Sequence, residues 1–283
     1  MSGLPSTGKR HAFSKVPEVT AFFWIVKALT TGMGESTSDF LVHSLVPEVA
    51  VVLGGIAFAV ALYLQFGKDR YVPWAYWLAV AMVGVFGTMA ADVLHVGLGV
   101  PYIASTIFYA IALAVVFKTW HLSEGTLSIH SIHTPRRELF YWAAVLATFA
   151  LGTAAGDLTA VTFGLGYFGS SLLFAAVIAV PAVGYFRFGM SSILAFWFAY
   201  VVTRPLGASI ADWLSVSSAR GGLALGTGPV SLALAAAIAA FVYYLSKTGK
   251  DMPPDQGAVA APGADRDSVG RAFGAPDQAP EQV

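Results

Sequence analysis

Apolar residues dominate eight stretches of the chain, at about residues 17–38, 47–66, 72–94, 100–118, 138–158, 166–186, 190–213 and 226–246. Each is close to the roughly 20 residues an α-helix needs to cross a ~30 Å hydrocarbon core. Their apolar positions run round most of the helical circumference instead of forming one narrow stripe, as in helices set in lipid or in a bundle core. Aromatic residues gather near several ends (Phe22, Phe23 and Trp24; Trp74, Tyr76 and Trp77; Tyr141 and Trp142; Tyr243 and Tyr244), which fits anchoring at membrane interfaces. The pattern predicts an all-α membrane protein with eight transmembrane helices.

The flanks differ from this core. Residues 1–16 are polar and include Lys9, Arg10 and Lys15. They lead into an apolar segment too long for a signal-peptide core and without a small-residue cleavage site, so that segment reads as a retained span. From about 247 to 283 the chain is rich in Ala, Gly, Pro and Asp, lacks apolar periodicity and reads as a disordered tail. The expected organisation is an N-terminal segment (1–16), a membrane domain (17–246) and a tail (247–283). Composition agrees: 57% of the 283 residues are hydrophobic and 11% charged, against about 25% charged in soluble domains. With no cysteine, disulfides, thiolate metal sites and cysteine nucleophiles are excluded.

Charge placement matters more than the net charge of zero. If the spans alternate, Lys9, Arg10, Lys15, Lys68, Arg70, Lys118, Arg136, Arg137, Arg187, Lys247, Lys250, Arg266 and Arg271 share one side, and only Arg220 lies on the other. Basic loops stay in the cytoplasm, so both termini are expected there, in a multi-pass protein of a bacterial inner membrane.

An internal repeat follows from the acids. Gly34 precedes Asp39, Gly87 precedes Asp92, Gly152 precedes Asp157 and Gly207 precedes Asp212, always five residues apart. The aspartates recur after 53, 65 and 55 residues, one helical hairpin each. Val46-Pro47 and Val100-Pro101 open the second helix of the first two hairpins. Two spans per repeat give all four repeats (about 15–67, 70–118, 137–187 and 189–246) the same orientation, hence a pseudo-four-fold arrangement about the membrane normal.

Acids inside a bilayer face a bundle interior or an aqueous cavity. Glu35, Asp39, Asp92, Asp157 and Asp212 meet only two cations within the spans, Lys27 and Arg204. Excess carboxylate with Ser36, Thr37, Ser38, Thr88, Thr153 and Ser209 nearby suits a hard cation or a proton relay. Lys27 is eight residues from Glu35, ~12 Å along the helix, so its expected partner is an acid of another repeat. Arg204 is likewise eight residues before Asp212. His43 and His95 follow Asp39 and Asp92 by one helical turn, a workable metal pairing, whereas His121, His130 and His133 with Glu124 read as a solvated loop. Gly34, Gly87, Gly152, Gly207 and Pro205 are expected to interrupt their helices, exposing backbone beside the acids. The structural counterpart is that the glycines allow close helix packing and the aspartates cap short outer helices.

No phosphate-binding glycine loop, His-Glu-x-x-His or Gly-x-Ser-x-Gly occurs, so neither an enzyme nor a cofactor is expected. The stretch from Lys15-Val-Pro-Glu-Val-Thr-Ala-Phe-Phe-Trp24 through Gly34-Glu-Ser-Thr-Ser-Asp39, with Thr203-Arg-Pro-Leu-Gly-Ala-Ser-Ile-Ala-Asp212, resembles the bacterial "uncharacterized membrane-anchored protein" family. That resemblance covers about residues 15–246 and implies tandem membrane repeats, without an activity. From the residues, the expected function is a secondary transporter or exporter of a cation, either a divalent metal or a proton-coupled ion. Alternatives are a cation channel with a carboxylate ring and a non-transporting scaffold or sensor. The expected partners are membrane lipid and a small inorganic cation, with no nucleic acid.

Overall fold

The computed structural model describes residues 13–256. These form eight long helices: α1 (Ala21–Ser44), α2 (Pro47–Phe66), α3 (Pro73–Asp92), α4 (Tyr102–Glu124), α5 (Pro135–Asp157), α6 (Gly166–Phe188), α7 (Ser192–Ser215) and α8 (Thr227–Thr248). Local chemistry sets their starts. The side chains of Thr20, Thr134 and Ser191 cap the first turns of α1, α5 and α7, and proline opens α2, α3 and α5, where its missing N–H costs nothing. Seven helices, α2 to α8, are long and apolar enough to cross a membrane. This is a multi-pass membrane protein. Helix α1 matches their length but falls outside that group, because Lys27, Glu35, Asp39 and a run of Ser and Thr dilute its apolar content.

Burial sorts the helices into two layers. In α3, α5 and α7, 61%, 61% and 50% of the most apolar stretch is buried, against 22%, 17%, 17% and 17% in α2, α4, α6 and α8. Helix α1 belongs with the first group. The inner helices pack α1 on α3, α3 on α5, α5 on α7 and α7 on α1, a closed ring. Each outer helix packs mainly on the inner helix of the following hairpin: α2 on α3, α4 on α5, α6 on α7 and α8 on α1.

Glycine decides how tightly the ring closes. A methyl placed on Gly34 would stand 2.7 Å from the Gly84 backbone of α3, and one on Gly87 would stand 2.7 Å from Phe149 Cβ of α5. One on Gly152 would run into the Arg204 side chain of α7, and one on Gly207 into Thr31 of α1. Each partner lies three residues before its own helix's repeat glycine. The four contacts therefore share one register and close on themselves. This corrects the expectation of broken helices: α1, α3, α5 and α7 run unbroken through Gly34, Gly87, Gly152 and Gly207, and α7 runs through Pro205. The glycines serve packing, as small residues do between membrane helices. Interruptions come later, as π turns directly after Asp92 (Val93–Gly97) and Asp157 (Leu158–Thr162).

A second closed cycle lies at the opposite end of the ring. Phe23, Tyr76, Tyr141 and Phe196 each precede a tryptophan, and each tryptophan precedes its repeat glycine by ten residues. Ring centroids of Phe23–Trp77, Tyr76–Trp142, Tyr141–Trp197 and Phe196–Trp24 are 5.7, 5.7, 6.2 and 5.8 Å apart. The aromatic of each inner helix thus meets the tryptophan of the next. All of these except Trp24 and Phe196, which are half-buried, are buried within the ring, so they do more than anchor at an interface.

Below this belt the chain folds back on itself. The Lys15 ammonium donates to Glu138 Oε2 at 2.7 Å, both side chains being almost fully buried, and Gln65 donates to Glu138 Oε1 at 3.0 Å. Ser14 O accepts from Tyr71 N and from Gln256 Nε2, each at 2.8 Å. Tyr71 also donates to Asp251 Oδ2. Residues 14–18 therefore lie across this end of the bundle, held by α2, α5 and residues 251–256. The tail expected from 247 so begins with an extension of α8 and a buried segment. Its continuation from 257, with Arg266 and Arg271, lies outside the described residues, as do Lys9 and Arg10.

Candidate polar axis of the inner helices

Counting in fours from the aromatic positions gives one stripe per inner helix. In α1 it is Phe23, Lys27, Thr31, Glu35 and Asp39; in α3, Tyr76, Val80, Gly84, Thr88 and Asp92. In α5 it is Tyr141, Val145, Phe149, Thr153 and Asp157; in α7, Phe196, Tyr200, Arg204, Ala208 and Asp212. Four residues return nearly to the same helical face with ~6 Å of rise. Apart from Phe196, every member up to the layer before the aspartates is buried. The stripes therefore stack layers along the interior of the ring.

Arg204 is fully buried and draws three repeats to itself. Its Nη2 donates to Glu35 Oε2 at 2.6 Å, to Thr153 Oγ1 at 2.7 Å and to Thr88 Oγ1. Its Nη1 donates to Thr31 O at 2.8 Å. Glu35, Thr88 and Thr153 each directly follow their repeat glycine; the fourth such residue is Ala208. One guanidinium thus ties all four inner helices together. The partner of Arg204 is Glu35 of α1, while Asp212 on its own helix is two turns away.

Lys27 corrects another expectation. Its ammonium meets no acid: Nζ is buried without a hydrogen-bond partner and sits 4.0 Å and 4.1 Å from the ring centroids of Phe149 and Tyr200. Arg204 lies 5.1 Å from the same Phe149 ring. Aromatic faces attract cations through their quadrupole, so Phe149 separates and partly compensates the two positive charges.

At the far end lie the aspartates. Asp39 feels the charges of Glu35, Asp92 and Asp157, and Asp212 those of Glu35, Asp39 and Asp157; the acids form one electrostatic cluster. Within it, Asp92 Oδ1 and Asp157 Oδ2 lie 2.9 and 3.4 Å from His95 Nε2, and one donor atom from each residue falls within 4.8 Å of the others. Asp92 and Asp157 stand where their π turns begin, and neither makes a side-chain capping bond. His43 is elsewhere: it is exposed, and its Nδ1 bonds the Asp39 backbone carbonyl at 2.6 Å. Arg220 reaches Tyr167 Oη at 2.6 Å on the same end of the bundle. In the loop read as solvated, Glu124 pairs with Arg136 and Arg137 at 3.3 and 2.8 Å.

A family model described as Repeat of Unknown Function (DUF347) matches residues 22–71, 75–126, 140–191 and 195–251. The chain belongs to this repeat family. Each matched segment holds one inner and one outer helix, so every layer of the polar axis is a place where four family repeats meet, with the same residue in the aspartate layer and different residues in the three layers before it. No curated protein and no solved structure matches the chain.

Sequence reading found the Gly and Asp columns but missed Phe149, Tyr200 and the aromatic–Trp column. The signal for the last was available, since an aromatic-Trp pair ten residues before each glycine is as regular as the aspartate five residues after it.

Proposed function

We propose that this protein is a secondary transporter of a cation, with the four inner helices as its pathway and the aspartate cluster as its mouth. In this reading α1 also spans the membrane, shielded from lipid by the seven more apolar helices, and the repeats are related by a pseudo-four-fold axis along the membrane normal. The two closed cycles of contacts, glycine against the next helix and aromatic against the next tryptophan, support that symmetry. The end carrying Lys15, Lys68, Arg70, Lys118, Arg136, Arg137, Arg187, Lys247 and Lys250 faces the cytoplasm of a bacterium, by the positive-inside rule; the aspartates face outward.

One observation carries the reading: an acid-rich mouth lies ~6 Å above a buried Arg204–Glu35 pair that fills the ring interior. A cation drawn in by the aspartates meets Glu35 next, and can take that carboxylate only as Arg204 lets go. Such an exchange of counter-charges couples binding to a conformational step, because a buried guanidinium without its anion costs several kcal/mol. The same pair opposes a permanently open channel, whose ion sites must be weak enough to leave. Membrane lipid and the inorganic cation are the partners in this reading, and no covalent chemistry is assigned.

The test uses purified full-length protein in vesicles. An imposed proton gradient is expected to drive uphill uptake of a divalent cation, and Glu35→Gln to abolish it. No flux of any tested cation in the parent would sink the transport reading, and unchanged flux after changing Asp39, Asp92, Asp157 and Asp212 all to Asn would sink the aspartate cluster as its mouth. Flux that only runs downhill would make the protein a channel.

A further inference from the structure

The four aspartates have equivalent places in the sequence but unequal surroundings. Among the described residues only two of them, Asp92 and Asp157, share a histidine. We propose that Asp92, His95 and Asp157 form a binding site for one first-row divalent transition metal ion, built between the second and third repeats. This deepens the transport reading and rests on it for the ion's role as cargo, though not for its binding.

The first support is the donor set. Two carboxylate oxygens and one imidazole nitrogen match manganese, iron(II), cobalt or zinc better than magnesium or calcium, which prefer oxygen alone. The second is the state of His95. Its side chain is 2% exposed, and neither ring nitrogen has a hydrogen-bond partner although two carboxylates stand beside Nε2. A buried imidazole normally satisfies its nitrogens; here Nδ1 has no partner and Nε2 faces two carboxylates at once, at 2.9 and 3.4 Å, an arrangement in which one cation can take the place between all three. The Tyr102 ring packs 4.5 Å from the imidazole and holds its orientation.

The third support is local backbone. Both aspartates sit at the transition into a π turn, and His95 lies within the first of these. A π turn adds one residue to a helical turn and re-aims the side chains around it, and such turns concentrate at functional sites. In α1 and α7 the helix continues regularly past Asp39 and Asp212, and residue 160, which occupies the position in the second π turn corresponding to His95, is alanine. One site per chain follows, not four.

Donors about 2.0–2.2 Å from one ion can be at most ~4.4 Å apart. The present span of 4.8 Å therefore needs to contract by only a few tenths of an ångström. Asp92 and Asp157 remain partly open, at 23% and 17% side-chain exposure, leaving a face for water or for an approaching ion.

Full-length protein in detergent at pH 7 would be titrated with Mn²⁺, followed by its paramagnetic resonance signal, and with Zn²⁺ and Mg²⁺ by calorimetry. Expected are one Mn²⁺ or Zn²⁺ per chain, Mg²⁺ at least tenfold weaker, and a loss of 100-fold or more in His95→Ala and in Asp157→Asn. Asp39→Asn and Asp212→Asn, which remove charge but no ligand, should lose at most about tenfold, and His43→Ala, exposed and bonded to the Asp39 carbonyl, should bind within threefold of the parent. Equal losses in all four aspartate variants would overturn the site in favour of a symmetric ring. Binding that survives His95→Ala combined with Asp157→Asn, or Mg²⁺ binding as tightly as Zn²⁺, would also overturn it. Because binding is measured without flux, metal bound but not moved refutes the transport reading alone, and metal moved without this binding refutes the site alone.

Discussion

Removing one partner of the axial pair and removing both have opposite consequences for stability, and the contrast tests the centre of the molecule. Glu35→Ala leaves the guanidinium of Arg204 fully buried with two threonine hydroxyls and one carbonyl for company. Breaking a buried ion pair in this way costs about 3–5 kcal/mol. Hydrogen bonds to the neutral threonines recover about 0.5–1.5 kcal/mol each at best, and these already exist in the parent, so they do not offset the loss. Replacing both members by apolar residues of similar size, Glu35→Leu with Arg204→Met, removes the buried charge altogether and is expected to lie within about 2 kcal/mol of the parent or above it. Unfolding in mixed micelles, followed by far-ultraviolet circular dichroism, measures all four corners of the cycle. The expected coupling between the positions is at least 2 kcal/mol, and the apolar double variant is expected to be folded yet inactive in uptake. A single Glu35→Ala variant within 1 kcal/mol of the parent would refute the claim that Arg204 depends on this carboxylate. Full uptake by the folded double variant would refute its role in the pathway.

Two further outcomes follow from the ring. Gly34→Ala puts a methyl 2.7 Å from the Gly84 backbone, where no flexible side chain can yield, and is expected to cost about 1–3 kcal/mol in the same unfolding assay; Gly97→Ala, with nothing within 4 Å, is the control and should stay within 0.5 kcal/mol. Lys27→Met replaces an unpartnered buried ammonium by an apolar chain of similar length, so it should raise stability by about 1 kcal/mol or more while impairing uptake. A less stable Lys27→Met protein would mean that Phe149 and Tyr200 satisfy the ammonium fully.

What was legible in the sequence was the part of the fold governed by period. Helix positions came from long apolar runs, and the hairpin repeat from Gly and Asp columns, because each copy must solve the same packing problem at the same place. Of the two roles open to the glycines, interruption of the helix and close packing, the structure shows the second. Gly and Pro weaken an isolated helix, but here tight neighbours hold α1 and α7 straight, and the missing Cβ is used for approach. The partner of Lys27 was misassigned for a related reason. Charge complementarity pointed to an acid, whereas the four-residue stripe places Phe149 and Tyr200 beside it, and aromatic faces carry no formal charge to count. Nothing in the spacing of His95 alone revealed Asp157, 62 residues later, as its second neighbour; that pairing exists only because α3 packs on α5 in the ring.

Symmetry and asymmetry are divided between the two ends of each stripe. The aromatic pair and the glycine are repeated in all four copies, and they make the contacts that close the ring. Between the aromatic layer and the repeated aspartates the copies diverge: Lys27, Val80, Val145 and Tyr200 in one layer; Thr31, Gly84, Phe149 and Arg204 in the next; then Glu35, Thr88, Thr153 and Ala208. A four-fold copy of the Arg204 layer would set four guanidiniums side by side in the buried interior, each repelling the others in a medium where burial already penalises them; the like charges that the fold does repeat, the four aspartates, stand at the end of the stripes. One arginine facing one glutamate and two threonines avoids that penalty, and it does so only if the repeats differ at these positions. The divergence of the interior is thus a physical consequence of putting ionised groups on the axis of a repeated fold. The same reasoning makes Arg204 the sharpest probe of the arrangement. Moving it to the equivalent place in the first repeat, Thr31→Arg with Arg204→Thr, puts the guanidinium on Glu35's own helix, one turn away, instead of across the contact between α7 and α1. Helix α7 then loses its tie to the other inner helices, uptake in vesicles is expected to fall, and unchanged uptake would refute the need for a bridging arginine.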